Sequence, residues 1–243
     1  MKYRQILYSN YHSTQSGRAS LTDAVDLFNR EVRQFENEIV PVLKNLPTTA
    51  RIFDLGCGSG SLLMALKKLG YTNCLGMDLS EEQVNMAHDF GLDNVTLGDA
   101  LAFLKTNNQP FDAIIGMDIL EHFTKDELVE LLPLIHQSLQ EGGIAVFRTP
   151  NLDAPMATVF ANGDFTHENY LNASSAQQVA LACGFTTVQV LPSTMKVYPF
   201  WKDWIRKALY KYLVFTLKLK LFATARSTRN IVFSPNMILV LNR

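Results

Sequence analysis

The sequence predicts an α/β domain built on a doubly wound, mostly parallel sheet. From Arg51 to Thr149, short apolar segments typical of buried strands alternate with segments whose apolar residues recur at helical spacing. Repeated strand–helix–strand units of this length make the strands parallel, with the connecting helices on both faces of the sheet. The chain has 243 residues, of which 47% are apolar, so its size suits one domain rather than two.

The predicted elements follow the change from one periodicity to the other. A helix from Asp23 to Leu46 comes first, with Thr22 as its cap and Pro47 at its end. The strands of the alternating region are Arg51–Leu55, Asn73–Met77, Asn94–Leu97, Phe111–Met117 and Ile144–Thr149. Its helices are Ser61–Leu69, Ser80–Phe90, Ala100–Lys105 and Lys125–Leu139, and a turn at Glu141–Gly143 precedes the fifth strand.

The alternation ends after Pro150. The remaining elements are a loop-rich segment (151–172), a helix at Ser174–Cys183, a strand at Phe185–Leu191, a basic helix at Pro199–Ala225 and a strand at Asn236–Leu241. We therefore divide the single domain into an N-terminal flap and helix (1–48), an alternating α/β core (49–191), a basic amphipathic insertion (192–234) and a final strand (235–243).

Composition and charge exclude several classes of protein. The three cysteines are irregularly spaced and predict neither a disulfide framework nor a zinc cluster, which favours the cytoplasm. No run approaches the roughly 18 apolar residues of a membrane-spanning helix. The net charge of −1 conceals a split, because residues 196–243 carry ten Lys or Arg and a single acid, Asp203. The rest of the chain is acidic, which argues against a nucleic-acid partner.

A glycine loop follows the first predicted strand, in the segment Asp54-Leu-Gly-Cys-Gly-Ser-Gly60. Glycines allow close approach of a ligand to the backbone and tolerate positive φ angles. The spacing differs from the dinucleotide fingerprint, since the third glycine comes one residue early. A carboxylate at the start of the loop, Asp54, would repel a pyrophosphate and suits a cationic ligand. This disfavours a nicotinamide-dependent dehydrogenase.

Two further acids end the next two predicted strands. Asp78 lies at the offset from the glycine loop that suits hydrogen bonds with ribose hydroxyls. Asp99 follows the third strand, where its carboxylate could accept a hydrogen bond from an adenine amine. Each of the two could instead cap a helix. The combination of loop and acids at one sheet edge favours a nucleoside-containing ligand.

Together these motifs resemble those of the class I S-adenosylmethionine-dependent methyltransferases, over about residues 50–190. The resemblance implies a Rossmann-like fold with seven strands, the last of them antiparallel. It implies that Gly56, Gly58 and Gly60 line the methionine part of S-adenosylmethionine, that Asp78 holds the ribose, that Asp99 holds the adenine amine, and that Asp54 lies near the aminoacyl end. The other implied cofactor-binding residues are Leu79, Ala100 and Met117.

The fourth strand leads into an acidic and histidine-containing segment, Asp118-Ile-Leu-Glu121-His122. It is similar to a motif of ubiquinone-type O-methyltransferases in which an acid-x-x-acid-His pattern can hold a divalent metal. We prefer a role without metal, in which His122 packs beside the cofactor, because two carboxylates and one imidazole do not complete an oxygen-rich site.

His167 lies in the segment that follows the fifth strand, within Asp164-Phe-Thr-His-Glu168. Histidine is the side chain best suited to accept a proton near neutral pH, so His167 is the first candidate for a catalytic base and His122 the second. A structural role for His167 is the alternative. With Ser234-Pro-Asn-Met237, this segment resembles methyltransferases of bacterial surface-polysaccharide pathways.

Two further segments, one near each end of the chain, are candidates for a function. Tyr8, Tyr11 and His12 are candidates for a flap over the cofactor, and a mobile tail is the alternative. In the basic insertion, residues 199–225 carry apolar and aromatic side chains at helical spacing, with lysines interleaved mainly on the other side. This pattern is typical of a helix that lies on an anionic membrane surface, and equally of one packed on its own domain or on a second subunit of a homodimer.

The sequence therefore predicts a cytoplasmic methyltransferase, with peripheral contact to the inner face of the membrane as an open alternative. The expected reaction is O-methylation of a small-molecule or glycan acceptor at a sugar hydroxyl. Methylation of an aromatic or quinone-like acceptor is the second candidate, and a non-catalytic S-adenosylmethionine-binding protein is the third.

Overall fold

The computed structural model describes residues 2–8, 21–193, 196–227 and 231–243. Its strands are β1 (Ile52–Leu55), β2 (Cys74–Asp78), β3 (Val95–Leu97), β4 (Phe111–Met117), β5 (Leu139–Pro150), β6 (Thr187–Pro192) and β7 (Asn236–Asn242). Its α-helices are α1 (Lys2–Tyr8), α2 (Leu21–Glu38), α3 (Val40–Leu43), α4 (Ser61–Lys68), α5 (Glu81–Asp89), α6 (Ala100–Thr106), α7 (Lys125–Ser138), α8 (Ala157–Ala161), α9 (Ala173–Ala182) and α10 (Phe200–Ala223).

The strands form one sheet in the order β3-β2-β1-β4-β5-β7-β6. The pairs among the first five strands are parallel, while β7 lies between β5 and β6 and is antiparallel to both. The predicted doubly wound sheet of seven strands, with an antiparallel last strand, is confirmed.

Apolar side chains cover both faces of the sheet. On one face, α2 to α5 pack over residues such as Ile52 and Val146. On the other, α6, α7 and α9 pack over residues such as Phe53 and Phe147. The alternation of neighbours such as Ile52 and Phe53 between the two layers follows from the two-residue period of a strand.

Most predicted boundaries lie within one or two residues of those in the structure, and three features of the prediction differ by more. The predicted helix from Asp23 to Leu46 is interrupted at Ile39, because Pro41 lacks an amide hydrogen and opens the separate short helix α3. The predicted turn at Glu141–Gly143 lies inside β5, where the register with β4 shifts and Gly142 has φ +74°. The predicted loop after Pro150 contains the short helix α8.

The basic insertion joins β6 to β7. Because β6 runs parallel to β1–β5, the insertion begins at the carboxyl edge of the sheet, the edge at which ligands bind in such folds. Across the described residues, no helix combines the length and apolar character that crossing a bilayer requires.

Candidate active site

A cleft of about 1270 Å³ opens at the carboxyl ends of β1, β2, β3 and β4. The strand order reverses direction between β1 and β4, and such a switch point leaves a crevice because the loops on its two sides diverge. The predicted cofactor residues that line this cleft are Asp54, Gly56, Gly58, Asp78, Leu79, Asp99, Ala100 and Met117. His122 also lines it, whereas Gly60 and His167 are not among its lining residues in the described part of the chain.

The glycine loop adopts a conformation that requires glycine. Gly56, Gly58 and Gly60 have φ angles of +69°, +52° and +80°. A Cβ on Gly56 would lie 2.8 Å from Cδ1 of Ile119 in the cleft wall. Gly60 differs in role from Gly56 and Gly58. It is the N-cap residue of α4, and a Cβ at this position would meet Leu92 of the core rather than the cleft.

Asp78 holds the glycine loop as well as lining the cleft. One carboxylate oxygen accepts a 2.8 Å hydrogen bond from the amide of Gly58, and the other accepts one of 2.8 Å from the amide of Ser80. Burial raises the pKa of Asp78, and these backbone donors act in the opposite direction. A carboxylate has about four acceptor positions, so those that remain can receive further donors from a ligand.

Asp99 caps helix α6, and this confirms one of its two predicted roles. Its Oδ1 accepts hydrogen bonds from the amides of Leu101 at 2.9 Å and Ala102 at 3.4 Å. The side chain lies at the cleft, so the cap and a bond to a ligand amine are compatible. Ser80, the first residue of the predicted helix Ser80–Phe90, caps α5, and its side chain accepts a hydrogen bond from the amide of Gln83.

Asp54 is the most unusual group in the cleft. It is 1% exposed, and neither carboxyl oxygen has a hydrogen-bond partner among the described residues. Burial, together with the nearby charge of Asp78, raises the pKa of Asp54 to about 8. A buried carboxyl group without a partner is costly to maintain. The cleft therefore suits a ligand that brings a cationic or hydrogen-bond-donating group to Asp54.

Arg148 of β5 is a cleft residue that the sequence analysis missed. It is 8% exposed, and its Nε donates to Asp118 at 3.0 Å. Its guanidinium also lies 3.9 Å from the carboxylate of Glu38 and 4.9 Å from the ring centre of Phe35, both in α2. The contacts of Arg148 with Glu38 and Phe35 tie α2 to the cleft wall. The available signal was a single arginine directly after the apolar run Ile144–Phe147.

Two histidines lie together at one end of the cleft. The rings of His122 and His167 meet edge to face, with their centres 4.9 Å apart. Nδ1 of His122 lies 2.9 Å from Oγ1 of Thr166, which in turn donates to Asp164 at 2.6 Å. Nδ1 of His167 lies 2.8 Å from the carbonyl oxygen of Ala161. Burial, with the neighbouring His167, lowers the pKa of His122 and so favours a neutral ring.

Glu121 completes this cluster. It is 2% exposed and accepts a 3.0 Å hydrogen bond from Oγ1 of Thr149. Burial raises the pKa of Glu121 well above its usual range. Donor atoms of Glu121, His122 and His167 lie within 4.8 Å of one another, so these three residues could hold a divalent metal. Asp118, the other acid of the predicted motif, is instead paired with Arg148.

Helix α1 lies against the same end of the cleft. Arg4 donates to Glu127 at 2.7 Å and to the carbonyl oxygen of His122 at 2.8 Å, and Tyr3 bonds to Glu168. The predicted flap residues Tyr11 and His12 lie outside the described residues.

The sheet order, the glycine loop and the acids at successive strand ends define the class I S-adenosylmethionine-dependent methyltransferases. The unpartnered carboxyl group of Asp54 fits the ammonium group of that cofactor, and the remaining acceptor positions of Asp78 fit its ribose hydroxyls. The sequence profile of a family described as "Methyltransferase domain" matches residues 28–190, and the chain belongs to this family.

Curated relatives match parts of the chain. Ribosomal protein L11 methyltransferase of Pelobacter propionicus is 33% identical over 100 residues, which cover 40% of this chain and 31% of that protein. Ubiquinone biosynthesis O-methyltransferase of Hydrogenovibrio crunogenus is 27% identical over 149 residues, which cover 55% of this chain and 61% of that protein. The chain thus spans less than two thirds of the length of these relatives.

Solved structures share the fold over nearly the whole chain. A methyltransferase of Archaeoglobus fulgidus has a TM-score of 0.65 and 18% identity, covering 96% of this chain and 98% of its own. Magnesium protoporphyrin IX methyltransferase of Synechocystis, with bound S-adenosylmethionine, has a TM-score of 0.57 and 17% identity, covering 99% of this chain and 96% of its own.

Proposed function

We propose that the protein transfers a methyl group from S-adenosylmethionine to a hydroxyl group of a sugar or glycan precursor. The observation that carries this proposal is the His122–Thr166–Asp164 chain at the cleft. A hydroxyl acceptor must lose its proton as the methyl group arrives, and a neutral histidine is suited to receive it. The choice of a sugar is supported by charged cleft residues such as Arg4, Glu127 and Arg148, which suit an acceptor rich in hydroxyls.

The cofactor-binding residues follow from the cleft. We assign the ribose hydroxyls to Asp78, the adenine amine to Asp99 and the ammonium group to Asp54, with Gly56 and Gly58 against the methionine chain. Leu79, Ala100 and Met117 would complete the adenosine side. Bound S-adenosylmethionine supplies a methyl group on a sulfonium, whose leaving group is a neutral thioether. The chain positions the two reactants and removes water from between them.

His122 is the better placed of the two candidate bases. It lines the cleft, whereas His167 is one ring further back. If the Nδ1 hydrogen of His122 is donated to Thr166, the neutral ring presents Nε2 as its proton acceptor. We assign the acceptance of the hydroxyl proton to His122 and the support of its ring to His167.

Variants of the two histidines test this assignment. His122→Ala should lower kcat roughly 10²–10⁴-fold at constant affinity for S-adenosylmethionine, and His167→Ala should have a smaller effect of the same kind. His136→Ala is the matched control, since His136 packs on Phe185 in the helical layer outside the cleft. Parent-like turnover of His122→Ala would contradict a catalytic role for this residue.

The acceptor class is tested by transfer of labelled methyl groups to sugars and to phenols or quinols, side by side. Sugar methylation supports the proposal, and phenol methylation would replace it with the aromatic acceptor. Tight cofactor binding without transfer to any acceptor would favour the non-catalytic alternative.

A metal-assisted reaction is a second candidate, favoured by the proximity of Glu121, His122 and His167. Two imidazoles and one carboxylate suit transition metals such as zinc or iron better than magnesium or calcium. In that case a chelator should abolish turnover, a transition metal should restore it, and Glu121→Gln should lower metal affinity. Turnover that withstands exhaustive chelation favours the proton-transfer role.

A further inference from the structure

Helix α10 turns an apolar face away from the rest of the protein. Of its 24 residues only Asp203 is buried. The large apolar side chains that are at least 40% exposed are Phe200, Trp201, Trp204, Ile205, Leu209, Tyr212, Leu213, Phe215, Leu219 and Phe222. At 100° per residue, most of these fall on one outward side of the helix. One alternative left open by the sequence was packing of the helix on its own domain, but no element of the described part of the chain covers this face.

Basic residues border the outward face on both sides. Lys202 and Lys220 fall on one flank of the helix, and Lys207, Lys211 and Lys218 fall on the other. The single acid of the helix, Asp203, is paired with Arg206 and Lys207 at 2.7 Å each and lies on the inward side. The outward face is therefore aromatic and apolar in the middle and positive along its edges.

The helix belongs to the segment that starts at the cleft edge of the sheet. Just after β6, the hydroxyl of Ser193 donates to Glu38 at 3.1 Å. Glu38 is the residue that lies 3.9 Å from Arg148 of the cleft wall. Further along, the amide of Val197 donates to Asp203 of α10 at 3.2 Å. The start of the insertion is thus linked to the cleft wall through Ser193, Glu38 and Arg148.

We infer that the outward face of α10 docks on an anionic lipid surface. Aromatic side chains settle at the boundary between headgroups and acyl chains, and flanking lysines meet the anionic headgroups. A second copy of the chain fits this face less well. A twofold pairing through α10 would bring the basic flanks of two identical helices together without acids to neutralise them. The inference does not depend on which acceptor the enzyme methylates.

Vesicle flotation tests the inference with the full chain. The parent should float with vesicles of phosphatidylcholine containing roughly 30% phosphatidylglycerol and stay unbound with phosphatidylcholine alone. Binding should fall at about 1 M salt, where screening shortens to about 3 Å. The double variant Trp201→Ala/Trp204→Ala should lower the bound fraction at least about tenfold. Val129→Ala is the matched control, since it shortens a side chain of α7 that is 51% exposed.

Two outcomes would overturn the inference. One is equal recovery of the parent in the unbound fraction with both vesicle types. The other is a lipid-free dimer, detected by sedimentation, that the double variant dissociates, because this would assign the face to a second copy. Affinity of the variants for S-adenosylmethionine, measured by calorimetry, verifies that they are folded.

Discussion

The unpartnered carboxyl group of Asp54 makes cofactor binding sensitive to pH. With a pKa of about 8, the group is protonated in about ten of eleven cofactor-free molecules at pH 7. If the cofactor's ammonium group binds beside it, the ionised form is favoured in the complex. Binding at pH 7 should then release nearly one proton, and affinity should rise about tenfold between pH 7 and pH 9.

Isothermal titration at both pH values measures the effect, and repetition in buffers of different ionisation enthalpy counts the released protons. The matched control is Asp54→Asn, which keeps the shape of the side chain and removes its titration. Any titration of the cofactor's own amine is common to both proteins, so it cancels in the ratio of their affinities. A ratio that is constant between pH 7 and pH 9 would refute the reasoning.

The same carboxyl group affects the stability of the cofactor-free protein in the opposite direction. The pKa of Asp54 is raised on folding. Its contribution to the free energy of unfolding is therefore fully present below about pH 4, where the group is protonated in both states, and is lost as pH rises towards 8. Thermal unfolding of the parent should show this decline more strongly than that of Asp54→Asn. Identical pH profiles for the two proteins would exclude a raised pKa.

Three further substitutions have definite expected outcomes. Asp78→Ala should weaken binding of S-adenosylmethionine at least about tenfold in calorimetry, because it removes charge-assisted bonds worth roughly 1.5–3 kcal/mol each; unchanged affinity would exclude the ribose assignment. Gly60→Ala should destabilise the fold by about 1–3 kcal/mol more than Gly91→Ala in urea unfolding. Both glycines have φ near +80°, but only at Gly60 would the new Cβ approach Leu92, at 2.4 Å, so equal losses would contradict the steric argument. Arg148→Met should lower stability by about 3–5 kcal/mol, because it leaves the buried carboxylate of Glu38 without its cationic partner; a loss below about 1 kcal/mol would show that water replaces this ion pair.

The sheet and the cofactor edge could be predicted because their signals are local. Strand periodicity predicts that Asp54, Asp78 and Asp99 lie at or near the carboxyl ends of successive strands. Parallel strands bring these ends to one edge of the sheet. The β5 boundary was missed for a local reason as well. Gly142 and Gly143 have the composition of a turn, whereas the structure uses them in an irregular stretch of strand.

The remaining parts of the site depend on pairs that are distant in sequence. Arg148 meets Asp118 and Glu38, and His122 meets Thr166, in contacts set by the packing of separate elements. No periodicity predicts such partners. The sequence identified His122 and His167 as candidate bases, but only the folded structure shows that His122 lies nearer the cleft.

The position of β7 determines when the sheet can be completed during synthesis. This strand, the last along the chain, pairs with β5 on one side and β6 on the other. Until the ribosome has made Asn236–Asn242, β5 lacks its partner on that side and β6 has no neighbour in the sheet. The amino-terminal strands can pair earlier, while they emerge in order. Completion of the sheet therefore follows the synthesis of β7, and until then the unpaired edge of β5 is open to aggregation with other chains.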